Sequence, residues 1–195
     1  MKILVLPPHA NSNDSQMAYG IAASQPDRTA LVHRPPAFLM LRLCSGFGPK
    51  FDVNVTEVHD LKSAWASNCI DEDVDWVVDL GFLEEADLDA LWSHLDVVAI
   101  PMRFFPDEQS HALSTWQRLE LRREDQGGAI PFVAPSEIHL TDDADFAWKP
   151  VMQMRKKWRR EIGRFPRMLP PPFLRPPPRK KLKEIDMLPE TVRSL

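Results

Sequence analysis

The stretch that decides the fold is Lys2-Ile-Leu-Val-Leu-Pro-Pro-His-Ala-Asn-Ser-Asn-Asp-Ser-Gln-Met-Ala-Tyr-Gly-Ile-Ala-Ala23. Ile3 to Leu6 is a short apolar run that reads as a buried strand, and a polar loop follows. Ser15 to Gln25 reads as a helix with Met17 and Ile21 inward, which Pro26 ends. A strand, loop and helix in this order is where many α/β proteins hold phosphate. Such a loop needs glycines, so that backbone N–H groups can close around the anion, and a lysine to meet its charge. Residues 7–15 contain neither glycine nor lysine. The stretch has the frame of a nucleotide site without its chemistry.

Outward from it, strand and helix patterns alternate. Thr29–His33 and the alternating Phe51–Val58 read as strands, the second half-exposed and near a sheet edge. Trp76–Leu80, apolar but for Asp79, and the apolar Val97–Pro101 read as central strands, expected where both faces are covered. Phe38–Leu43 and Leu61–Cys69 read as short helical segments, and Glu84–Leu95 as an amphipathic helix through Leu88, Leu91, Trp92 and Leu95. Pro106–Arg123 is a long helix with proline in its first turn and Asp107 and Glu108 at its positive end, closed by Gly127-Gly128. Ile130–Ala134 is a strand. A last helix starts at Asp142–Asp145 and ends in basic residues. The prolines at 166, 170–172 and 176–178 exclude helix or central strand beyond it. The expected fold is therefore α/β: a doubly wound, mainly parallel sheet with helices on both faces and a basic, proline-rich C-terminal arm. We place the α/β domain at 1–165 and the extension at 166–195. Ile3–Leu6, Val77–Asp79 and Val97–Ile100 are the expected central strands.

The 195 residues suit one domain of ordinary size. No apolar run is long enough to cross a membrane and no secretory leader is legible, so a cytoplasmic protein is expected, with Cys44 and Cys69 as reduced thiols. Charge is uneven. Residues 149–195 hold 14 Lys/Arg and 4 Asp/Glu, net +10, and residues 1–148 hold 10 and 24, net −14. The basic end either folds back on the acidic body or meets an anionic partner. Arg155, Lys156, Lys157, Arg159, Arg160, Arg179, Lys180 and Lys181 are the candidate contacts for nucleic acid or a protein partner, with Trp158, Phe165 and Phe173 placed to stack on bases. Trp148, Met152, Trp158 and Ile162 have roughly helical spacing and should dock this helix on the domain.

The order of elements resembles the ParA/MinD-type ATPases. The resemblance rests on Asp73-Val-Asp-Trp-Val-Val-Asp-Leu-Gly81, on Leu95-Asp-Val-Val-Ala-Ile-Pro-Met-Arg103, on Ile130-Pro-Phe-Val133, and on Leu169-Pro-Pro-Pro-Phe-Leu-Arg175 near the end. Asp79 takes the place of that family's Walker B acid. The family's deviant Walker A motif, Lys-Gly-Gly-Xaa-Gly-Lys-Ser/Thr, falls on residues 9–15, where only Ser15 agrees. His9 replaces the signature lysine, Asp14 replaces the phosphate-contacting lysine, and Asn11 and Asn13 stand where the motif has glycine. The family's Asp-Xaa-Asp-Pro falls roughly on residues 33–36, without its acids.

Asp14 turns attraction for phosphate into repulsion. One unit charge pair at about 4 Å is worth of order 4 kcal/mol at an effective dielectric near 20, so reversing one sign removes much of a micromolar affinity. Asp14 and Ser15 serve equally well as caps of the first helix. The resemblance thus implies a non-catalytic ParA-like protein, a pseudo-ATPase with no cofactor. Its roles would be plasmid maintenance, DNA transfer or intracellular positioning through protein and nucleic-acid contacts. The other reading is an enzyme of a different α/β family, such as a nucleotide-sugar transferase, with residues 7–15 as a substrate loop. No metal site is expected, because the six histidines (9, 33, 59, 94, 111 and 139) are scattered. Met102-Arg-Phe-Phe-Pro106 leaves the strand edge where α/β sheets place their sites, which offers Phe104 and Phe105 either as a contact surface or as packing under the next helix.

Overall fold

The computed structural model describes residues 1–9, 17–18, 21–22, 29–33, 54–57, 74–135, 144–164 and 166–168. Its seven strands are β1 (Lys2–Val5), β2 (Thr29–His33), β3 (Asn54–Glu57), β4 (Asp75–Asp79), β5 (Val97–Met102), β6 (Ile130–Pro135) and β7 (Arg167–Met168). They form one sheet in the order β3-β2-β4-β1-β5-β6-β7, and every neighbouring pair is parallel. The named helices are α1 (Glu85–Trp92), α2 (Pro106–Gln126) and α3 (Ala144–Ile162).

The three strands expected at the centre are there: β1 lies between β4 and β5, with Val5 level with Asp79 on one side and Ala99 on the other. The half-polar β3 is an edge, as its alternation implies. Strand periodicity divides β1 between two cores. Leu4 and Leu6 pack with Leu88, Leu91 and Trp92 of α1, with Ala112, Trp116 and Leu119 of α2, and with Val151, Met154 and Trp158 of α3. Ile3 and Val5 pack on the other face, with Val77, Val97, Phe132 and the helical residues Met17, Ala18 and Ala22. Both faces of the central strands are therefore covered, which is why they read as largely apolar runs.

A lock between α1 and α2 fixes how these helices sit over the sheet. The buried Trp92 donates its indole N–H to the Gly127 carbonyl at 2.8 Å. The Arg122 guanidinium lies 5.5 Å from the Trp92 ring and reaches Glu85 and Asp89 at 2.7 Å each. Gly128 has φ +92°, and a Cβ there would come within 2.8 Å of Trp92 Nε1. The glycine pair thus ends α2 and admits the indole.

The sheet runs past the expected domain boundary at 165. β7 forms directly after Pro166, an edge strand of two residues paired with Phe132 and Val133; proline is tolerated there because an edge strand can spare an N–H. The sheet therefore continues to Met168, three residues past position 165. The segments 38–43 and 61–69, both cysteines, the start of the last helix at 142–143 and the proline triplets lie outside the described residues. Among the described residues no helix is long and apolar enough to cross a membrane.

Candidate functional site

In a parallel sheet all strands end on the same edge, and the loops leaving that edge build the site. Here β1, β4 and β5 deliver three such loops side by side.

After Val5 the chain runs through buried Leu6, Pro7 and Pro8. The Leu6 N–H donates to the Ala99 carbonyl at 2.9 Å, which extends the ladder one residue beyond the strand. Proline has no N–H to place and a fixed φ, so Pro7-Pro8 directs His9 over the edge with little freedom. β5 ends at Met102 and presents Arg103. α2 begins at Pro106, and its first turn contributes Glu108, 7% exposed. These residues meet: His9 Nε2 lies 3.1 Å from Glu108 Oε1, and Arg103 donates to the same oxygen at 2.7 Å. The His111 ring, one helical turn after Glu108, stands 5.1 Å from that of His9.

Burial of Glu108 acts to raise its carboxyl pKa. The hydrogen bonds and charges of Arg103 and His9 outweigh it and hold the group below the ordinary glutamate value. Glu108 is thus an anion with a cationic partner, and its other oxygen, Oε2, is buried with no hydrogen-bond donor among the described residues.

Asp79 closes β4 two strands away from Arg103. It is 2% exposed, and its Oδ1 accepts the Gly81 N–H at 3.3 Å, with Gly81 at φ +69°. The turn this makes leaves Phe82 47% exposed, and Phe105, in the corresponding place after β5, is 61% exposed. Phe104 packs against the core, and Phe105 faces solvent.

Of the expected nucleotide-loop residues, His9 and Asp79 stand on this edge. Asn11, Asn13, Asp14 and Ser15 lie outside the described residues. Glu108, Arg103 and His111 were not among the candidate site residues. The signal was the Glu108/His111 spacing at the start of a helix that leaves a central strand, beside an arginine on the strand end.

The basic face of α3 needs two corrections. Arg155 is 5% exposed and Trp158 2% exposed; both lie on the inner side with Val151 and Met154. Arg155 is therefore not a surface contact, and Trp158 cannot stack on a base. Val151, Met154, Arg155 and Trp158 share the inward face at helical spacing, so the helix docks on the domain as expected; the Trp148 side chain lies outside the described residues. Met152 and Ile162 are partly buried. Lys156, Lys157, Arg159 and Arg160 are exposed. Lys157 has Glu161 at 3.9 Å, a loose pair of little energetic weight. Arg164, just beyond the helix, donates to Glu124 at 2.7 Å and lies 5.6 Å from the Trp116 ring, which ties the end of α3 to α2. Arg179, Lys180, Lys181, Phe165 and Phe173 lie outside the described residues. Among the described residues no group of three or more His, Cys, Asp or Glu side chains is arranged to hold a metal ion.

No protein-family model matches the chain, and no curated protein is similar to it in sequence. Solved structures are similar. A plasmid partition protein of Borrelia burgdorferi superposes with TM-score 0.53 at 10% identity, over 87% of each chain. A plasmid partition protein of Borrelia burgdorferi B31 bound to AMPPNP does so with TM-score 0.50 at 9% identity, over 99% of this chain and 93% of its own. A ParA family ATPase of Chlorobium tepidum gives 0.47 at 12% identity, over 94% and 86%. At these identities the likeness is one of fold: the chain has the parallel α/β fold of the plasmid partition proteins.

Proposed function

We propose that this chain is a ParA-like protein without nucleotide chemistry, which keeps the fold as a platform for contacts with a protein partner and with nucleic acid. The observation that carries the reading is the pairing of His9 with Glu108. His9 stands where the resemblance puts the signature lysine, and instead of a free cation the edge offers an imidazole engaged by a buried carboxylate. Asp14 in place of the second lysine and the absence of glycine from 7 to 15 argue the same way. A site for triphosphate needs a loop whose N–H groups close around the anion and cations to meet its charge, and residues 7–15 contain neither the glycines nor the lysines that serve this. Asp79 has no magnesium–triphosphate to bind under this reading and serves its own turn through Gly81.

For nucleic acid, the exposed Lys156, Lys157, Arg159 and Arg160 support contact with phosphates, and the inward Trp158 removes base stacking from α3. Duplex DNA read through its backbone suits this better than single strands. Plasmid maintenance, DNA transfer and intracellular positioning are the roles the resemblance suggests.

Isothermal calorimetry with ATP–Mg and with ADP tests the nucleotide reading. We expect no measurable heat of binding for the intact chain. Micromolar affinity that Asp14→Lys leaves unimproved would overturn it.

A further inference from the structure

The same edge has features that call for an occupant. Phe82 and Phe105 are 47% and 61% exposed on the loops after β4 and β5, on either side of the His9 loop. Around them are the exposed carboxylates of Glu84 and Asp107 and the buried ones of Asp79 and Glu108, against the guanidinium of Arg103 among the described residues. Glu108 Oε2 has no donor among the described residues. An apolar and acidic edge of this kind suits a segment that offers both apolar rings and cations.

The chain carries such a segment and delivers it to this edge. β7 is parallel to the other strands, so Met168 leaves the sheet on the side where β1, β4 and β5 end. Residues 169–183 hold six prolines, Phe173 and five Lys/Arg, with no acid. Three inter-strand steps separate β7 from β1. At about 4.8 Å each they make roughly 14 Å, which about five residues of polyproline II cover at roughly 3.1 Å apiece. Pro170–Leu174 can therefore span the edge and bring Phe173 and Arg175 to the loops of β5 and β1. The α3 cations are elsewhere: α3 returns the chain from β6 to β7, so its basic C-terminal half lies toward the opposite edge. The two basic regions thus serve different surfaces.

We propose that residues 169–183 dock in cis across the C-terminal edge of the sheet, with proline and Phe173 against Phe82 and Phe105 and the cations against Glu84, Asp107 and Glu108. The segment takes the place that the resemblance gives to nucleotide, and in that sense the inference rests on the nucleotide-free reading above. Its stiffness lowers the entropy lost on docking, and its tether to β7 makes the contact intramolecular.

Hydrogen exchange on the full chain tests this. The backbone N–H groups of Phe104, Phe105, Asp107 and Glu108 precede or open α2 and have no intrahelical acceptor, so they exchange fast unless covered. We expect protection there and at Phe82 and Leu83. Arg175→Glu, Arg179→Glu, Lys180→Glu and Lys181→Glu together should speed exchange at these positions about tenfold or more, and Phe82→Ser with Phe105→Ser should do the same. Both sets of substitutions spare the core. Unchanged exchange at this edge in both variants, or changes confined to the outer face of α1, would overturn the proposal. The tail variant is also titrated with ATP–Mg. Gain of nucleotide binding on release would sink the nucleotide-free reading and leave the docking standing. Absence of both docking and nucleotide binding would sink the docking alone.

Discussion

His9 and Glu108 are 99 positions apart in the chain, and their side chains meet at 3.1 Å over the end of the sheet. The contact joins the loop leaving β1 to the first turn of α2, so that two segments from distant parts of the sequence are set by one carboxylate, which Arg103 shares.

Glu108→Gln should destabilise the protein at neutral pH by about 1–3 kcal/mol, because a charged acceptor of two hydrogen bonds is replaced by a neutral one in a buried place. The pH dependence has a definite sign. The folded-state pKa of Glu108 is depressed. Its contribution is therefore fully present above the ordinary glutamate value and is lost as pH falls through the lower folded-state value. Denaturant titrations from pH 7 down to pH 3 should show the gap between wild type and Glu108→Gln closing only on the acid side. A gap that closes above the ordinary glutamate range would contradict the assignment.

Gly128→Ala should cost about 2–3 kcal/mol, from a side chain at φ +92° and from contact with the indole of Trp92. The phenyl ring of Trp92→Phe lacks Nε1, the atom that the new methyl would meet most closely. Combined with Gly128→Ala it should lose less stability than the two single losses added, by about 0.5 kcal/mol or more. Strict additivity in thermal or urea melts would show that backbone strain alone is responsible.

On α3 the two faces should separate cleanly. Arg155→Ala and Trp158→Ala should destabilise, the second by about 3–5 kcal/mol, since the ring is almost wholly buried. Lys156, Lys157, Arg159 and Arg160 changed to Ala should each alter stability by no more than about 0.5 kcal/mol. If α3 meets duplex DNA, that fourfold variant should bind more weakly, with a shallower dependence of log K on log salt than the wild type. Equal salt slopes for the two proteins would remove α3 from the interface.

The sheet was legible because its central strands are apolar on both faces. The order Ile3–Leu6, Val77–Asp79, Val97–Ile100 could be read as central without knowing any contact, and the alternation at 51–58 marked β3 as an edge. The two-residue β7 gave no pattern to read, since a period needs more than one repeat. The site was half legible. Asp79 and His9 declare themselves by position at strand ends. Glu108 was hidden by an equally good local reason to exist, as an acid in the first turn of a helix. Arg155 was hidden by its neighbours: in Arg-Lys-Lys-Trp-Arg-Arg every cation looks alike, and only the packing of Val151, Met154 and Trp158 decides which one turns inward.

The parallel pairing of β1 also has a consequence for how the chain is made. Its two neighbours, β4 and β5, begin at residues 75 and 97. At about 5–20 residues per second, a ribosome takes roughly 5–20 s to deliver β5 after β1. Until β4 is made, Ile3, Leu4 and Val5 form an apolar strand with two open hydrogen-bonding edges, and until β5 is made one edge stays open, a state prone to pair with other chains. A strand made before both of its neighbours must wait for each of them, so a nascent chain halted before Met102 lacks one side of the central β4-β1-β5 trio.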